Sequence, residues 1–281
     1  MKTLMTIAEV RENVKEWKKQ GLTVGLVPTM GYLHKGHKSL IEKAHEENDK
    51  VVVSIFVNPI QFGVNEDLDA YPRDLENDSK LCEGAGVDII FHPQATEMYF
   101  EDFCTYTDME KLTHNLCGMS RPTHFRGVCT VVNKLFNIVA PDKAYFGQKD
   151  AQQLAVIKRM VRDLNIDTEI IGCPIVREDD GLAVSSRNTY LSAEERKVSV
   201  VLSKALQEGR KMLENGEKNA AVVVNAIKAI IEKEPLAKID YVKIVDSEIL
   251  EDVETVEKNV LVAMAVYVGK TRLIDNITFE I

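Results

Sequence analysis

The sequence predicts an α/β fold, a Rossmann-like, doubly wound parallel sheet followed by a smaller C-terminal α+β domain. Three observations carry this expectation. Through the first two-thirds of the chain, short β-branched apolar runs alternate with amphipathic stretches, the pattern of a parallel sheet covered by helices. The alternation stops after Pro174. Beyond it come two long helical patterns and then three strand-like runs.

In chain order, strands are expected at 22–27, 51–57, 87–91, 143–146 and 168–171. Between them, apolar residues recur at three- and four-residue spacing over 36–47, 73–84, 125–139 and 150–164, which predicts helices. Ser192 followed by Glu195 is a capping-box start for one long helix through Leu213, stopped by Asn215-Gly216. A second helix runs to about Glu234, before Pro235. Strands follow at 240–245, 260–268 and 271–274, the last two joined by Gly269-Lys270 as a two-residue hairpin turn. No internal repeat or low-complexity linker is visible, and the domain boundary is expected near residue 175.

At 281 residues the chain exceeds the roughly 100–200 residues of a usual single domain, so two unequal domains are favoured. Hydrophobic residues at 45% and charged residues at 28% place it among ordinary globular proteins. The net charge of −9, from 44 acidic against 35 basic residues, opposes binding to nucleic acid or anionic lipid, so any polyanion must be held at a local site. Met1 to Gln20 has no uninterrupted apolar stretch of signal-peptide length and nothing later approaches a membrane span of about 20 residues, so a cytoplasmic location without membrane or nucleic-acid partners is expected. The five cysteines are widely spaced with no Cys-x-x-Cys pair, which favours reduced, packed thiols over disulfides or a structural zinc site.

Val-Pro-Thr-Met-Gly-Tyr-Leu-His-Lys-Gly-His at 27–37 stands where the first strong strand gives way to a helix. In an open parallel sheet, ligands bind at the carboxyl ends of strands, and a helix N-terminus there offers N–H groups and a favourable dipole to phosphate. His34 and His37 are three apart, so both can project from one side of the first turn and donate to a triphosphate. A pair of surface histidines or a zinc pair is the alternative, although zinc would require a third ligand that the sequence does not place.

Three further segments carry polar chemistry. Val-Asn-Pro-Ile-Gln-Phe-Gly at 57–63 ends a core strand, and Gln61 there offers a donor and an acceptor to a substrate bearing hydroxyl and carboxylate groups. Gly147, Gln148, Lys149 and Asp150 follow another strand. Lys149 is suited to phosphate and Asp150 to a ribose hydroxyl, with Gln153 expected on the same helical face. The polar loop at 176–188 holds Ser185 and Ser186 followed by Arg187, a combination able to wrap a triphosphate. Taken singly, each of these segments also fits a solvated turn or linker.

Together, and in this order, the four segments resemble the pantoate–β-alanine ligases, a family of the His-x-Gly-His nucleotidyltransferases, and the resemblance covers essentially the whole chain. It implies ATP-dependent condensation of pantoate with β-alanine to pantothenate through a pantoyl-adenylate, releasing AMP and pyrophosphate, with Mg²⁺ accompanying ATP. It further implies ATP contacts from Met30, Gly31, Tyr32, Leu33, His34, Lys35, Gly36, His37, Gly147, Gln148, Lys149, Asp150, Val176, Val184, Ser185, Ser186 and Arg187. Gln61 and Gln153 would hold pantoate, with Gln61 also at the β-alanine position. His37, His34, Lys149 and Arg187 would be catalytic, and no protein side chain is assigned to metal. Residues 1–175 would be the Rossmann-like ATP- and pantoate-binding domain and 176–281 a small C-terminal lid domain, in a homodimer. Lys38, where an apolar residue is usual, and Gln148, at a variable position, are minor departures. Two competing readings are an adenylyltransferase with a phosphorylated acceptor, which would favour a basic acceptor pocket over two neutral glutamines, and a nucleotide-binding sensor.

Overall fold

The computed structural model describes residues 1–64 and 66–281. The chain divides into two compact units, one comprising Met1–Met109, Arg121–Gln148 and Val156–Pro174, the other Glu110–Ser120, Lys149–Ala155 and Ile175–Ile281.

The first unit is built on six parallel strands: β1 (Lys2–Leu4), β2 (Val24–Thr29), β3 (Lys50–Ile55), β4 (Ile89–Phe91), β5 (Lys143–Gly147) and β6 (Glu169–Cys173). Their order across the sheet is β1-β4-β3-β2-β5-β6, every pair parallel. From β2 the chain builds outward through β3 and β4 on one side, then returns to build β5 and β6 on the other. The switch point therefore lies between β2 and β5, where open α/β sheets bind ligands.

Helices α1 (Ile7–Lys19), α2 (Lys35–Glu47), α3 (Leu75–Gly84), α4 (Ala95–Met98), α5 (Cys117–Ser120), α6 (His124–Val139) and α7 (Ala151–Asp163) accompany this part of the chain. One face of the sheet, carrying Val27, Val51, Val53 and Ile55, packs on Leu40, Ile41 and Ala44 of α2 and Cys82 of α3. The pleat turns Leu26 and Val52 to the opposite face. There α6 packs on β2, and α1 on α6. Near-continuous burial along β3 is what a strand covered on both sides requires.

The short helices α4 and α5 were not anticipated, and neither were β1 and α1. The edge strand β1 is three residues long and mostly exposed, so no alternation marks it. α1 does carry a start signal, since Thr6 and Glu9 form a capping box. Only Val10 and Val14 of that helix are buried, which makes its apolar stripe faint.

The second unit is an antiparallel sheet, β7 (Ala237–Asp246), β8 (Val260–Val268) and β9 (Thr271–Phe279), in that order, with helices against one face. Val268 pairs with Thr271 across Gly269-Lys270, the expected two-residue turn, and Gly269 takes the positive φ it demands. Val260, Val262, Met264 and Val266 of the central strand meet Leu202, Leu206, Val223 and Ile227 of the helices in one core. Full burial of each such side chain contributes about 1.5–3 kcal/mol. On the other face, Tyr241, Lys243 and Arg272 reach the segment at 115–120. Lys243 Nζ donates to Asn115 Oδ1 at 2.8 Å, and Cys117 Sγ lies 3.2 Å from the Tyr241 hydroxyl.

The single helix expected from Ser192 to Leu213 is two, α8 (Ala193–Val198) and α9 (Val201–Glu214), and α10 (Ala220–Ile231) follows. The Ser192–Glu195 capping box forms as expected. The break falls at fully buried Ser199, whose Oγ donates to Glu195 O at 2.8 Å, while Ser203 Oγ donates to Val200 O at 3.1 Å. Hydroxyls bonded back onto the preceding turn bend a helix, and apolar periodicity does not register them.

Candidate active site

In the first unit, β2 ends at Thr29, whose Oγ1 donates to Ser54 O at 2.7 Å and accepts from Gly31 N at 3.2 Å. The backbone then turns through two left-handed residues, Gly31 at φ +85° and Tyr32 at φ +52°. A Cβ on Gly31 would stand 2.9 Å from Ile55 Cγ2, so glycine is required there for space as well as for conformation. Asp78, 2% exposed on α3, clamps the turn by accepting from Tyr32 N at 2.9 Å and Leu33 N at 2.6 Å. Burial pushes the Asp78 carboxyl above its ordinary value, and the two amide bonds pull the other way.

His34 is the N-cap of α2. Its Nδ1 accepts from Gly36 N at 3.2 Å, and His37 Nδ1 accepts from His34 N at 3.3 Å. The two rings stack with centroids 4.0 Å apart. Because each Nδ1 is an acceptor, each neutral ring carries its proton on Nε2. Two parallel N–H donors at a helix N-terminus beside the switch point suit an anion. The same tautomer argues against the zinc pair, since a protonated Nε2 has no lone pair for a metal.

Gln61 closes a 3₁₀ turn, Pro59–Gln61, after β3 and is 7% exposed. The Tyr99 hydroxyl donates to Asn58 Oδ1 at 2.7 Å, Asn58 Nδ2 donates to Gln61 Oε1 at 3.1 Å, and Gln61 Nε2 donates to Met30 Sδ at 3.0 Å. This chain sets the orientation of the Gln61 amide, and Met30 is a weak acceptor that a stronger one can replace. His124 Nδ1 lies 3.0 Å from Gln61 O, and Arg121 links His124 to Glu66 through a bidentate ion pair. Burial raises the Glu66 carboxyl, but hydrogen bonding and charge from Arg121 outweigh it and hold the carboxyl below its usual range. α6 comes so close that a Cβ on Gly127 would lie 2.4 Å from Gln61 Cα and 2.5 Å from Ile60 O. Gly127→Ala is therefore expected to destabilise the fold by about 1–3 kcal/mol, the range for overpacking. A urea or thermal midpoint raised by alanine's helix propensity would contradict that.

Gly147 and Gln148 leave the carboxyl end of β5, next to β2. In the second unit, Lys149 and Asp150 complete the 3₁₀ turn Gln148–Asp150 rather than opening the helix, and α7 begins at Ala151, with Gln153 half-buried in its first turn. Val176 and Val184 are brought together, Val184 N donating to Val176 O at 3.0 Å across a tight turn in which Gly181 has φ +94°. Ser185 caps the next 3₁₀ helix, Ser186–Tyr190, by accepting from Arg187 N at 3.3 Å. Ser186 is buried, and Arg187 lies in the first turn.

A family model for pantoate-beta-alanine ligase matches residues 2–278. The chain belongs to the pantoate–β-alanine ligase family. A pantothenate synthetase of Clostridium acetobutylicum is 63% identical over 281 residues, the whole of both chains, and one of Enterococcus faecalis is 62% identical over 276 residues, 98% of each. The crystal structure of a pantothenate synthetase from Thermus thermophilus superposes with a TM-score of 0.94 at 46% identity, covering 99% of each chain. That of a Francisella tularensis pantoate-beta-alanine ligase complexed with beta-gamma ATP and beta-alanine gives 0.81 at 35% identity, over 99% and 97%. The reaction of this chain is thus the family's, ATP-dependent joining of pantoate and β-alanine through an acyl-adenylate.

Asp78, Asn58, Tyr99 and His124 escaped the sequence reading. For Asp78 a signal existed, an acid on the buried stripe of α3 that also carries Cys82. The other three also depend on partners 41 to 69 residues away.

Proposed function

We propose that residues 30–37, Gly147 to Asp150, Val176 and Val184 to Arg187 hold ATP, that Gln61 and Gln153 hold pantoate, and that Gln61 also adjoins β-alanine. The observation that carries this reading is the stacked pair His34 and His37, their Nδ1 atoms tied to backbone N–H groups and their protons carried on Nε2 at the start of α2. Support also comes from the Francisella relative, crystallised with an ATP compound and β-alanine.

The pantoate carboxylate attacks the α-phosphorus of ATP. The bond to the bridging oxygen breaks, leaving pantoyl-adenylate and pyrophosphate. The amine of β-alanine then attacks the acyl carbon, AMP departs with the electron pair of the acyl–oxygen bond, and the amine loses a proton to give the amide. Substrates supply both nucleophiles, so the protein's part is positioning and charge stabilisation. His37 and His34 donate to charge growing on the phosphoryl oxygens, while Lys149 and Arg187 neutralise the triphosphate. Gln61, oriented by Asn58, aligns the pantoate carboxylate.

Magnesium would arrive with ATP, its ligands being triphosphate oxygens, as is usual for this cation. The donors in the proposed site suit phosphate rather than a metal cage. When bound, Mg²⁺ would neutralise charge on the pyrophosphate leaving group. Residues 176–281 are assigned as a lid that keeps water from the mixed anhydride, residues 1–175 as the ATP- and pantoate-binding domain, and the working form as a cytoplasmic homodimer, which a light-scattering mass in solution checks.

The experiment is ATP-dependent pyrophosphate release with pantoate, with and without β-alanine, beside pantoate-free and EDTA-treated controls. Sustained turnover is expected only with both substrates and free Mg²⁺. Release that ignores pantoate would instead indicate adenylyl transfer to another acceptor, and no release at all a nucleotide sensor.

A further inference from the structure

Within the second unit, two chain segments assigned above to ATP converge on consecutive residues of one strand. Asp275 and Asn276 lie on β9, 2% and 5% exposed. Asp275 accepts a two-pronged ion pair from Arg177, Nη1 to Oδ2 at 2.7 Å and Nη2 to Oδ1 at 2.9 Å. Arg177 Nη1 also donates to Gly181 O at 3.0 Å, and Arg177 pairs with Ala183 across the turn. The Arg177 guanidinium thus ties the loop tip to β9 while its backbone holds the return strand at Ala183, just before Val184, Ser185, Ser186 and Arg187. Asp275 is itself held, with Oδ1 accepting from Asn276 N at 2.8 Å. Asn276 Nδ2 donates to the backbone carbonyl of Lys149 at 2.8 Å.

We infer that Arg177, Asp275 and Asn276 form a strut that registers the Lys149 backbone against the Val184–Arg187 loop, and that they act as positioning residues for ATP. The inference rests on the reading that both segments contact the triphosphate. None of the three need touch the nucleotide. Their effect is geometric. Lys149 stands on the short 3₁₀ turn between β5 and α7, a firm base, whereas the Val184–Arg187 loop follows a turn and enters only a short 3₁₀ helix at Ser185. A polar network with buried Asp275 and Asn276 at its centre ties the less regular loop to that base and supplies its rigidity. Arginine suits the task because its planar fork engages both carboxylate oxygens and still reaches a carbonyl, which lysine cannot do.

The test compares Asn276→Ala, Arg177→Lys and Lys149→Ala in the full chain, measuring KM for ATP, KM for β-alanine, the single-turnover adenylation rate and the thermal midpoint. Asn276→Ala is expected to raise KM for ATP about tenfold and lower adenylation by about 10–10²-fold, the penalty for misplacing a reacting group by about an ångström. KM for β-alanine should stay unchanged, and Arg177→Lys, which keeps the charge but loses the fork, should fall in the same direction with a smaller effect. A merely structural role would lower the midpoint and the active fraction while leaving KM for ATP alone, and that result overturns the inference. Should Lys149→Ala damage adenylation while both strut variants keep the native KM for ATP, the strut is refuted and the ATP site stands. Should Lys149→Ala have no effect, the ATP reading falls and the strut with it. If Asn276→Ala does not fold, Arg177→Lys carries the same decision.

Discussion

His37→Ala lowers the rate of pantoyl-adenylate formation by about 10²–10³-fold, the usual consequence of removing a preorganised donor to developing negative charge. The expectation follows from how the ring is held. Its Nδ1 accepts from His34 N, its face stacks on His34 at 4.0 Å, and its proton is carried on Nε2. A donor fixed before the reaction needs no reorganisation when charge builds on the α-phosphoryl oxygens. Single-turnover formation of adenylate, followed as a pyrophosphate burst without β-alanine, isolates this step from later ones. Alanine also removes half of the capping box at the start of α2, an effect worth about 1 kcal/mol. The thermal midpoint should therefore drop slightly. His37→Asn keeps a short acceptor for His34 N and should recover the midpoint more fully than the rate. Near-normal adenylation by the alanine variant removes His37 from the chemistry.

How far the sequence reached can be seen in these two histidines. Their spacing and their place after a strand predicted that they would share one side of a helical turn, which is where they stand. Strand ends, helix starts and glycine turns are written in local chemistry, so five of the six parallel strands, the Ser192–Glu195 box and the Gly269-Lys270 turn were legible. What escaped was set by distance or by back-bonding. Asn58 acquires its role only when Tyr99 and Gly127 fold against it. The interruption at Ser199 depends on a hydroxyl preferring the Glu195 carbonyl, which apolar periodicity does not encode. Lys149 and Asp150 were expected to open a helix, but they finish a 3₁₀ turn, and the continuous α-helix starts one residue later.

Asp78 bears on stability and on function by different routes, and comparing two of its substitutions should separate them. The carboxylate is buried and its pKa is raised, desolvation being the largest cause, opposed by hydrogen bonds from Leu33 N and Tyr32 N. A folded-state value above the ordinary 3.8 means that the native chain holds this proton more tightly than the unfolded chain. The group's contribution to stability is then fully present below that ordinary value and is lost as pH rises through the folded pKa. Above that folded pKa the carboxylate is retained at a cost relative to its protonated form. Its return is conformational, since two oxygens pin the left-handed Gly31-Tyr32 turn that precedes His34 and His37. Asp78→Asn keeps the shape and removes the charge, but one carboxylate oxygen becomes an NH₂ that faces an amide N–H. Relief of the desolvated charge offsets part of the one stranded amide, so the thermal midpoint should fall less than in the alanine variant, while KM for ATP rises and adenylation falls by about tenfold. Asp78→Ala strands both amides, each unsatisfied buried group costing about 1–3 kcal/mol, and should reduce adenylation by about 10²-fold through misplacement of the two imidazoles. An asparagine variant that loses stability yet adenylates at the native rate would show that Asp78 serves the fold alone.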